Sequence, residues 1–548
     1  MSNSTSNDNH SAREASPQSE DETDITSLLR SLIHSGHVRF LTSDNMAFFD
    51  SSFDHIKYVS PSSDIEILNT SDFKADVELS SGKWKKEKRY RLNSVYSQVV
   101  QRENGLTQST GFDSKQRCSI YNRFLPNCNK LVAKNRSKVF CGSYEMDGNL
   151  FISACQDQKI RIYDTSNTSF KEKLCICARD VGWSVLDVAL SPDGQHVIYS
   201  SWSDYIHQFS LSNPEDSHVA LALRPPASRF CIFSLQFSND GHEILGGGSE
   251  GSLYVYDRER NTRTMQIEHA HEDDANAVRY ADTSSHILFS GGDDGLCKVW
   301  DRRTLCEENP TCVATLAGHM DGVTYIDSKG DARYFISNSK DQTIKLWDIR
   351  RCSSNSAISK TKEIVSHQRW DYRWQNIPKK ALKLRRIDGD TSIMTYRGHM
   401  VLHTLIRCGF SPAHSTGQRY IVTGCGARGY VIVYDVLTGN IVKKLQAHYA
   451  CVRDVSWHPH KMEICSSSWD GTIIKWYYNG KYGEDSSEQA HSSKNSDTST
   501  DTDDDDDDEH DDDLDDLVDA LDGPGRLRPR QTIATRSMSA QQRSGCII

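Results

Sequence analysis

The sequence predicts an all-β fold, a seven-bladed propeller, and three observations carry that expectation. A turn Asp is followed six residues later by an aromatic residue, usually with another Asp after it. Asp157 leads to Tyr163-Asp164, Asp294 to Trp300-Asp301, Asp341 to Trp347-Asp348 and Asp470 to Trp476. Seven terminal aromatics (Tyr163, Phe209, Tyr256, Trp300, Trp347, Tyr434 and Trp476) recur at steps of 46, 47, 44, 47, 87 and 42 residues. Self-similarity at such a period marks stacked four-stranded blades. A Ser stands four residues before the turn Asp in five blades (Ser153, Ser200, Ser290, Ser337, Ser466), and an upstream His appears in three (His271, His319, His448).

His, Ser, turn Asp and terminal Trp are the parts of a buried hydrogen-bond chain that ties the strands of one blade together. Buried polar groups must be satisfied, so the four types travel together. The set recurs blade after blade, as architecture does and an active site does not. His319, Asp341 and Ser337 are therefore read as structure, not as a catalytic triad. Two blades lack the turn Asp: Glu250 stands in its place in the third and Arg428 in the sixth. Those turns are expected to be looser or to be recruited for contacts.

Taken in order, residues 1–23 are polar and acidic and are expected to be disordered. Residues 24–36 follow as a short amphipathic helix, with Asp24 at its start, Gly36 at its end and Ile25, Leu28, Leu29, Leu32 and Ile33 on one face. That face needs a partner, either the propeller itself or a groove on another protein. Residues 37–135 read as irregular. They hold a basic stretch, Lys83 to Arg91, that fits a solvated loop or a nuclear localisation signal. The propeller spans 136–480. Its last blade lacks an outer strand, so a segment within Arg117–Val132 is expected to supply it and close the ring.

The step of 87 residues marks an insertion, 353–397, placed between blades five and six. It carries Trp370, Tyr372, Arg373 and Trp374, residue types enriched at interface hot spots. They either bind a substrate protein or pin the loop to the propeller. Residues 481–548 form a low-complexity acidic tail. Leu514, Leu517, Val518 and Leu521 fall there at helical spacing, and a disordered tail is the expectation.

The 548 residues carry a net charge of -11, but 15 acidic residues and no Lys or Arg fall between Asp501 and Asp522. Without that run the chain is mildly basic, so the global charge says little about the folded surface. Sixteen Cys are scattered without zinc-site spacing. Cys155, Cys231, Cys297, Cys451 and Cys465 occupy apolar strand positions and read as buried, reduced thiols. The N-terminus is no signal peptide, and no apolar run reaches the roughly 18 residues of a membrane helix. Nucleus and cytoplasm are the expected locations. No phosphate loop, metal-ligand spacing or independent triad is present, so no cofactor, metal or catalytic residue is expected.

The blades resemble the WD-repeat family. Two consecutive blades end in Trp-Asp-x-Arg, Trp300-Asp301-Arg302-Arg303 and Trp347-Asp348-Ile349-Arg350. The second closes Phe335-Ile-Ser-Asn-Ser-Lys-Asp-Gln-Thr-Ile-Lys-Leu-Trp-Asp-Ile-Arg350, similar to the box of substrate receptors of cullin-4 RING ubiquitin ligases. That resemblance implies that Arg303 and Arg350 face the ligase's propeller-built adaptor, helped by the 24–36 helix. Three further segments resemble the branch of the eleventh cullin-4-associated factor and its plant embryo-abundant relatives. They are Arg369-Trp-Asp-Tyr-Arg-Trp-Gln375, Tyr396-Arg-Gly-His-Met-Val-Leu-His-Thr-Leu-Ile-Arg407 and Val452-Arg-Asp-Val-Ser-Trp-His-Pro459. The resemblance implies a non-enzymatic receptor that presents a protein substrate, a cap'n'collar leucine-zipper transcription factor among the candidates. The other reading is an assembly scaffold for chromatin or RNA processing, whose binding would fall steeply with salt and need none of Ile25, Leu28 or Leu32.

Overall fold

The computed structural model describes residues 62–83, 95–105, 111–167, 170–223, 230–375, 377–378 and 386–480. The helix expected over 24–36, most of the basic stretch and the acidic tail lie outside them. Seven sheets of four antiparallel strands make a seven-bladed β-propeller. Blade 4 shows the plan, with strands Ala275–Tyr280, Ile287–Gly292, Cys297–Asp301 and Ala314–Leu316 in order from the axis outward. First strands of neighbouring blades pack together around the axis. The third strand is shielded on both faces, and in blade 5 all of Thr343–Asp348 is buried. Trp347, Tyr199, Tyr254, Tyr334, Tyr396 and Tyr434 fill the spaces between blades.

Cys128–Lys134 pairs antiparallel with Thr472–Tyr477 and becomes the fourth strand of blade 7. The seam is closed at one end by an Asn pair. Asn127 Nδ2 donates to the Asn479 carbonyl at 3.0 Å, and the Asn479 N–H donates to Asn127 Oδ1 at 2.7 Å. The strand begins late in the expected window, because Ser114–Tyr121 is helical.

Two sequence expectations need correction. The described residues between 62 and 121 are not irregular but hold four short helices: α1 (Ser62–Thr70), α2 (Asp72–Ser80), α3 (Val95–Glu103) and α4 (Ser114–Tyr121). Leu68, Phe73 and Val77 bury their side chains against Tyr334, Tyr396 and Tyr434, so α1 and α2 belong to the core of blades 5 and 6. The insertion does not lie between blades five and six. It lies inside blade 5, whose fourth strand is Met394–Arg397, paired with Thr343–Leu346. That strand has only four residues, too few for an alternation to announce it.

The third- and sixth-blade turns are not loose. In blades 1, 4, 5 and 7 the turn Asp accepts the backbone N–H two residues on, as Asp341 Oδ1 does from Thr343 at 3.0 Å, and one left-handed residue follows (Gln342, φ 69°). In blade 2 the expected Ser200 and Asp204 sit one position out of register, and Ser203 Oγ accepts the Tyr205 N–H at 3.3 Å instead. Glu250 and Arg428 are themselves left-handed (φ 59° and 60°) and precede left-handed Gly251 and Gly429 (φ 69° and 63°). Two consecutive positive φ values are the mark of a tight type I′ turn.

The axis is closed by charge. Arg407 of blade 6 donates to Asp187 of blade 2 at 2.6 Å and to Asp454 of blade 7 at 3.1 Å, with all three buried. Asp187 also accepts the Leu235 N–H at 2.7 Å and Asp454 the Gly142 N–H at 3.0 Å, so both carboxylates bond a neighbouring blade. Among the described Cys, those expected inside are inside, and burial pushes the Cys155, Cys297 and Cys465 thiols up to about 12.

Candidate functional site

The propeller has two ends of different character. At one, second strands turn into third strands, and the turn Asp residues sit there. At the other, third strands finish and the Trp-Asp-x-Arg boxes stand.

At the first end the His-Ser-Asp sets are architecture, as expected. In blade 5 His319 Nδ1 lies 2.9 Å from Asp341 Oδ2 and Nε2 2.6 Å from Ser337 Oγ, which accepts the Trp347 Nε1–H at 2.7 Å. Blade 4 repeats this with His271, Asp294, Ser290 and Trp300, and blade 7 with His448, Asp470, Ser466 and Trp476. Ser290, Ser337 and Ser466 are fully buried, each occupied by His and Trp at once, so no substrate reaches the hydroxyl. Burial works to raise the Asp341 carboxyl, but His319, Lys345 and Thr343 outweigh it and hold it well below the usual range. Gly292 makes this packing possible in blade 4, since a Cβ there would lie 2.6 Å from the His271 ring.

At the second end each Arg forks onto its own box Asp. Arg303 sets Nε 3.0 Å from Asp301 Oδ1 and Nη2 2.7 Å from Oδ2, and this bond holds the Asp301 carboxyl down to about 2. Its side chain stays 62% exposed. Arg350 makes the same fork to Asp348, at 3.2 and 3.0 Å, and is 57% exposed. Arg350 also donates to Asp72 at the start of α2, at 3.1 Å, and Arg333 joins Asp72 and Asp348 at 2.7 and 3.1 Å. Asp72 suits the first turn of a helix, where the N–H groups favour an anion. Phe73 fixes it there by packing edge-on against Tyr334, ring centroids 5.0 Å apart. Trp300 and Trp347 are buried and Asp301 and Asp348 are taken by their own Arg, so these four hold the box together, and the Arg side chains are what the box offers a partner. Sequence reasoning missed Asp72 and Arg333, which come from segments without a repeat signature.

The insertion carries its aromatic segment to the other end. Helix α5 (Asn355–Ser366), capped by Ser354, packs Ala357 and Thr361 inward. The chain after it crosses the turn Asp end of blade 5. There the Tyr372 ring covers Lys340 Nζ at 4.6 Å, and the His403 N–H donates to the Tyr372 carbonyl at 2.9 Å. Arg373 forks onto Asp371 at 2.9 and 2.7 Å, the geometry of the two boxes rebuilt in an irregular segment. Tyr372 and the backbone therefore pin the loop; Trp370 is half-buried, and Trp374 projects, 68% exposed. Ile25, Leu28, Leu29 and Leu32 lie outside the described residues.

The model of the WD domain, G-beta repeat matches residues 127–164, 262–301, 310–348 and 439–477. The LEC14B protein of Lithospermum erythrorhizon is 43% identical over 399 residues, covering 71% of this chain and 83% of that protein. This chain belongs to the WD-repeat family of LEC14B and DDB1- and CUL4-associated factor 11 proteins. The DDB1- and CUL4-associated factor 11 homolog of Caenorhabditis elegans is 42% identical over 371 residues, 66% of this chain. The match spans 64% of the length of that relative. In this WD-repeat family member the two Arg-bearing boxes and the Trp374 segment sit at opposite ends of one rigid ring.

Proposed function

We propose that this chain is a substrate receptor of a cullin-4 RING ubiquitin ligase, docking on the ligase adaptor and presenting a protein for ubiquitination and degradation. The observation that supports it most is the pair of exposed Arg forks, Arg303 and Arg350, on adjacent blades at one end of the ring, in a chain whose 42% identical relative is named a DDB1- and CUL4-associated factor. The box end takes the adaptor. The turn Asp end, with Trp374 of the insertion, takes the substrate. A cap'n'collar leucine-zipper transcription factor is the candidate substrate, and nucleus and cytoplasm are where the complex works. The chain contributes proximity, raising the effective concentration of substrate lysines beside the ubiquitin-charged subunit.

The test is affinity purification of the wild type beside an Arg303→Ala, Arg350→Ala variant, scored for cullin-4 and its adaptor. Both Arg side chains are on the surface, so the variant should melt like the wild type and lose at least tenfold of the retained ligase. A wild type that retains no ligase, or a variant that retains it fully, overturns the reading.

A further inference from the structure

Lys138 is a half-buried cation without a counter-ion. It stands in the loop from Cys128–Lys134, the closing strand, to Val139–Tyr144, the innermost strand of blade 1. Ser137 Oγ accepts the Asp157 N–H at 3.2 Å and the Asn135 N–H donates to the Gly471 carbonyl at 2.7 Å, so the loop lies at the turn Asp end. Asn135 holds the place of a tetrad His. It precedes Gly142, the strand partner of Ser153, by seven residues, as His319 precedes Ile326, the partner of Ser337. Lys138 Nζ lies 4.2 Å from the centre of the Trp469 ring and has no ion pair among the described residues. Burial pushes its pKa down, and no carboxylate among them opposes that.

Trp469 belongs to an aromatic floor. Phe140 packs on it with ring centroids 5.6 Å apart and meets Trp183 edge-on at 5.3 Å, so the floor runs from blade 7 through blade 1 to blade 2. On its blade 6 side Trp469 packs against Val401 and Ile406. His403, in the same loop, is left-handed (φ 69°). Its N–H donates to the Tyr372 carbonyl and its Nδ1 lies 3.2 Å from that of Arg373, which ties the Trp374 segment to this loop. Trp183 is 40% exposed and Trp374 68%. A second cation without a carboxylate shares the floor. Arg453 is 3% exposed, stacks on Phe140 at 5.4 Å and donates to the Phe140 and Leu186 carbonyls, with its Nε unpartnered and no ion pair among the described residues. Charges withdrawn from water cost free energy until an opposite charge meets them. The blade 4 part of the same end is acidic. Burial and the neighbouring Asp293 push the Asp273 and Asp274 carboxyls up, the latter to about 7. A partner's carboxylate is repelled there and drawn to Lys138.

We infer that this floor binds an aspartate or glutamate side chain of the substrate protein, its carboxylate paired with Lys138 and the residues on either side of it resting on Trp183 and Trp374. A charge-assisted bond gains strength where water is partly excluded. Aromatic ground on both sides of Lys138 suits a chain that runs through rather than one that ends there. The inference rests on the receptor reading and gives its substrate face a chemistry, and its test involves no ligase.

The full chain, labelled with 5-fluorotryptophan, is titrated with a short acetylated and amidated glycine-serine peptide carrying one glutamate between two leucines, and with the same peptide carrying glutamine. Trp469→Phe assigns the reporting fluorine resonance. The glutamate peptide should shift the Trp469 signal saturably, and the glutamine peptide should bind about tenfold more weakly. Lys138→Gln should remove that difference and Lys138→Arg should keep it. Lys138 has no ion pair to lose, so both variants should melt like the wild type, and the Arg variant guards against a change of fold. Equal binding of the two peptides, or a glutamate preference that survives Lys138→Gln, overturns the inference. So does a glutamine peptide with a free C-terminal carboxylate that matches the glutamate peptide, since the site would then read chain ends. Ligase retention without a glutamate preference leaves the receptor reading standing and removes this site. A glutamate preference without ligase retention upholds the site and removes the ligase.

Discussion

Blade 5 and blade 2 share one backbone plan and differ in how far their polar positions are committed. In blade 5 His319, Asp341, Ser337 and Trp347 form a closed chain at one end, and Asp348 is shared by Arg333 and Arg350 at the other. In blade 2 the strand register sets Tyr199 where blade 5 has Ser337 and Phe209 where it has Trp347, so no tetrad forms, and the buried Ser200 hydroxyl has no partner. The difference teaches that a structural repeat is informative where it fails. A blade that gives up its tetrad loses stabilising bonds, and what it exposes instead is a lead to binding.

The largest effect should come from the committed blade. His319→Ala leaves Asp341 and Ser337 buried with their main partner gone, and breaking a buried pair this way costs about 3–5 kcal/mol. Asp180→Ala in blade 2 removes an exposed carboxylate and should stay within about 0.5 kcal/mol. Urea unfolding of both variants checks this. Comparable losses would mean that Asp180 is as structural as His319.

Acid should separate the blades in the same sense. The carboxyls of Asp294, Asp341 and Asp470 are all held below their ordinary range, burial being outweighed by the neighbouring His in each. A carboxylate depressed in the folded state contributes stability above its unfolded pKa, about 3.9, and loses it as pH falls towards the folded value. Stability should therefore decline below about pH 4. Asp341→Asn should be destabilised near neutrality and show a shallower decline in acid. An unchanged acid slope would show that the tetrad carboxylates do not govern acid unfolding.

The repeat frame was legible because the tetrad has fixed spacing: Ser337 to Asp341 to Trp347 is four and six residues in a strand-turn-strand that tolerates no slippage. The Arg forks were legible for a related reason, since Asp-x-Arg closes on itself locally, as the Asp371–Arg373 fork in irregular chain proves. That same locality makes the fork a poor guide to an interface, and its surroundings must decide. Those surroundings were not legible. Helices α1 and α2 are nine residues each and owe their place to Leu68, Phe73 and Val77 meeting residues more than 250 positions away. Blade 2 misleads for the same reason: Ser200 stands four residues before Asp204, but Val197 pairs with Phe209 as Phe335 does with Trp347, so Tyr199 and not Ser200 holds the tetrad Ser position.

The smallest effect bears on which Arg dominates at the adaptor end. Arg303 is held by its own Asp301, whereas Arg350 is also held by Asp72. Asp72 is 65% exposed, and surface pairs of this kind contribute about 0.2–1 kcal/mol, so Asp72→Ala should barely move the melting temperature. It does remove a competitor for the Arg350 guanidinium. If an adaptor carboxylate takes that place, ligase retention should rise by about twofold, the equivalent of roughly 0.4 kcal/mol, and should not rise when Arg350 is already Ala. A fall in retention would reverse the assignment: Asp72 would then be presenting Arg350 to the partner, and α2 would belong to the docking surface as much as the box does.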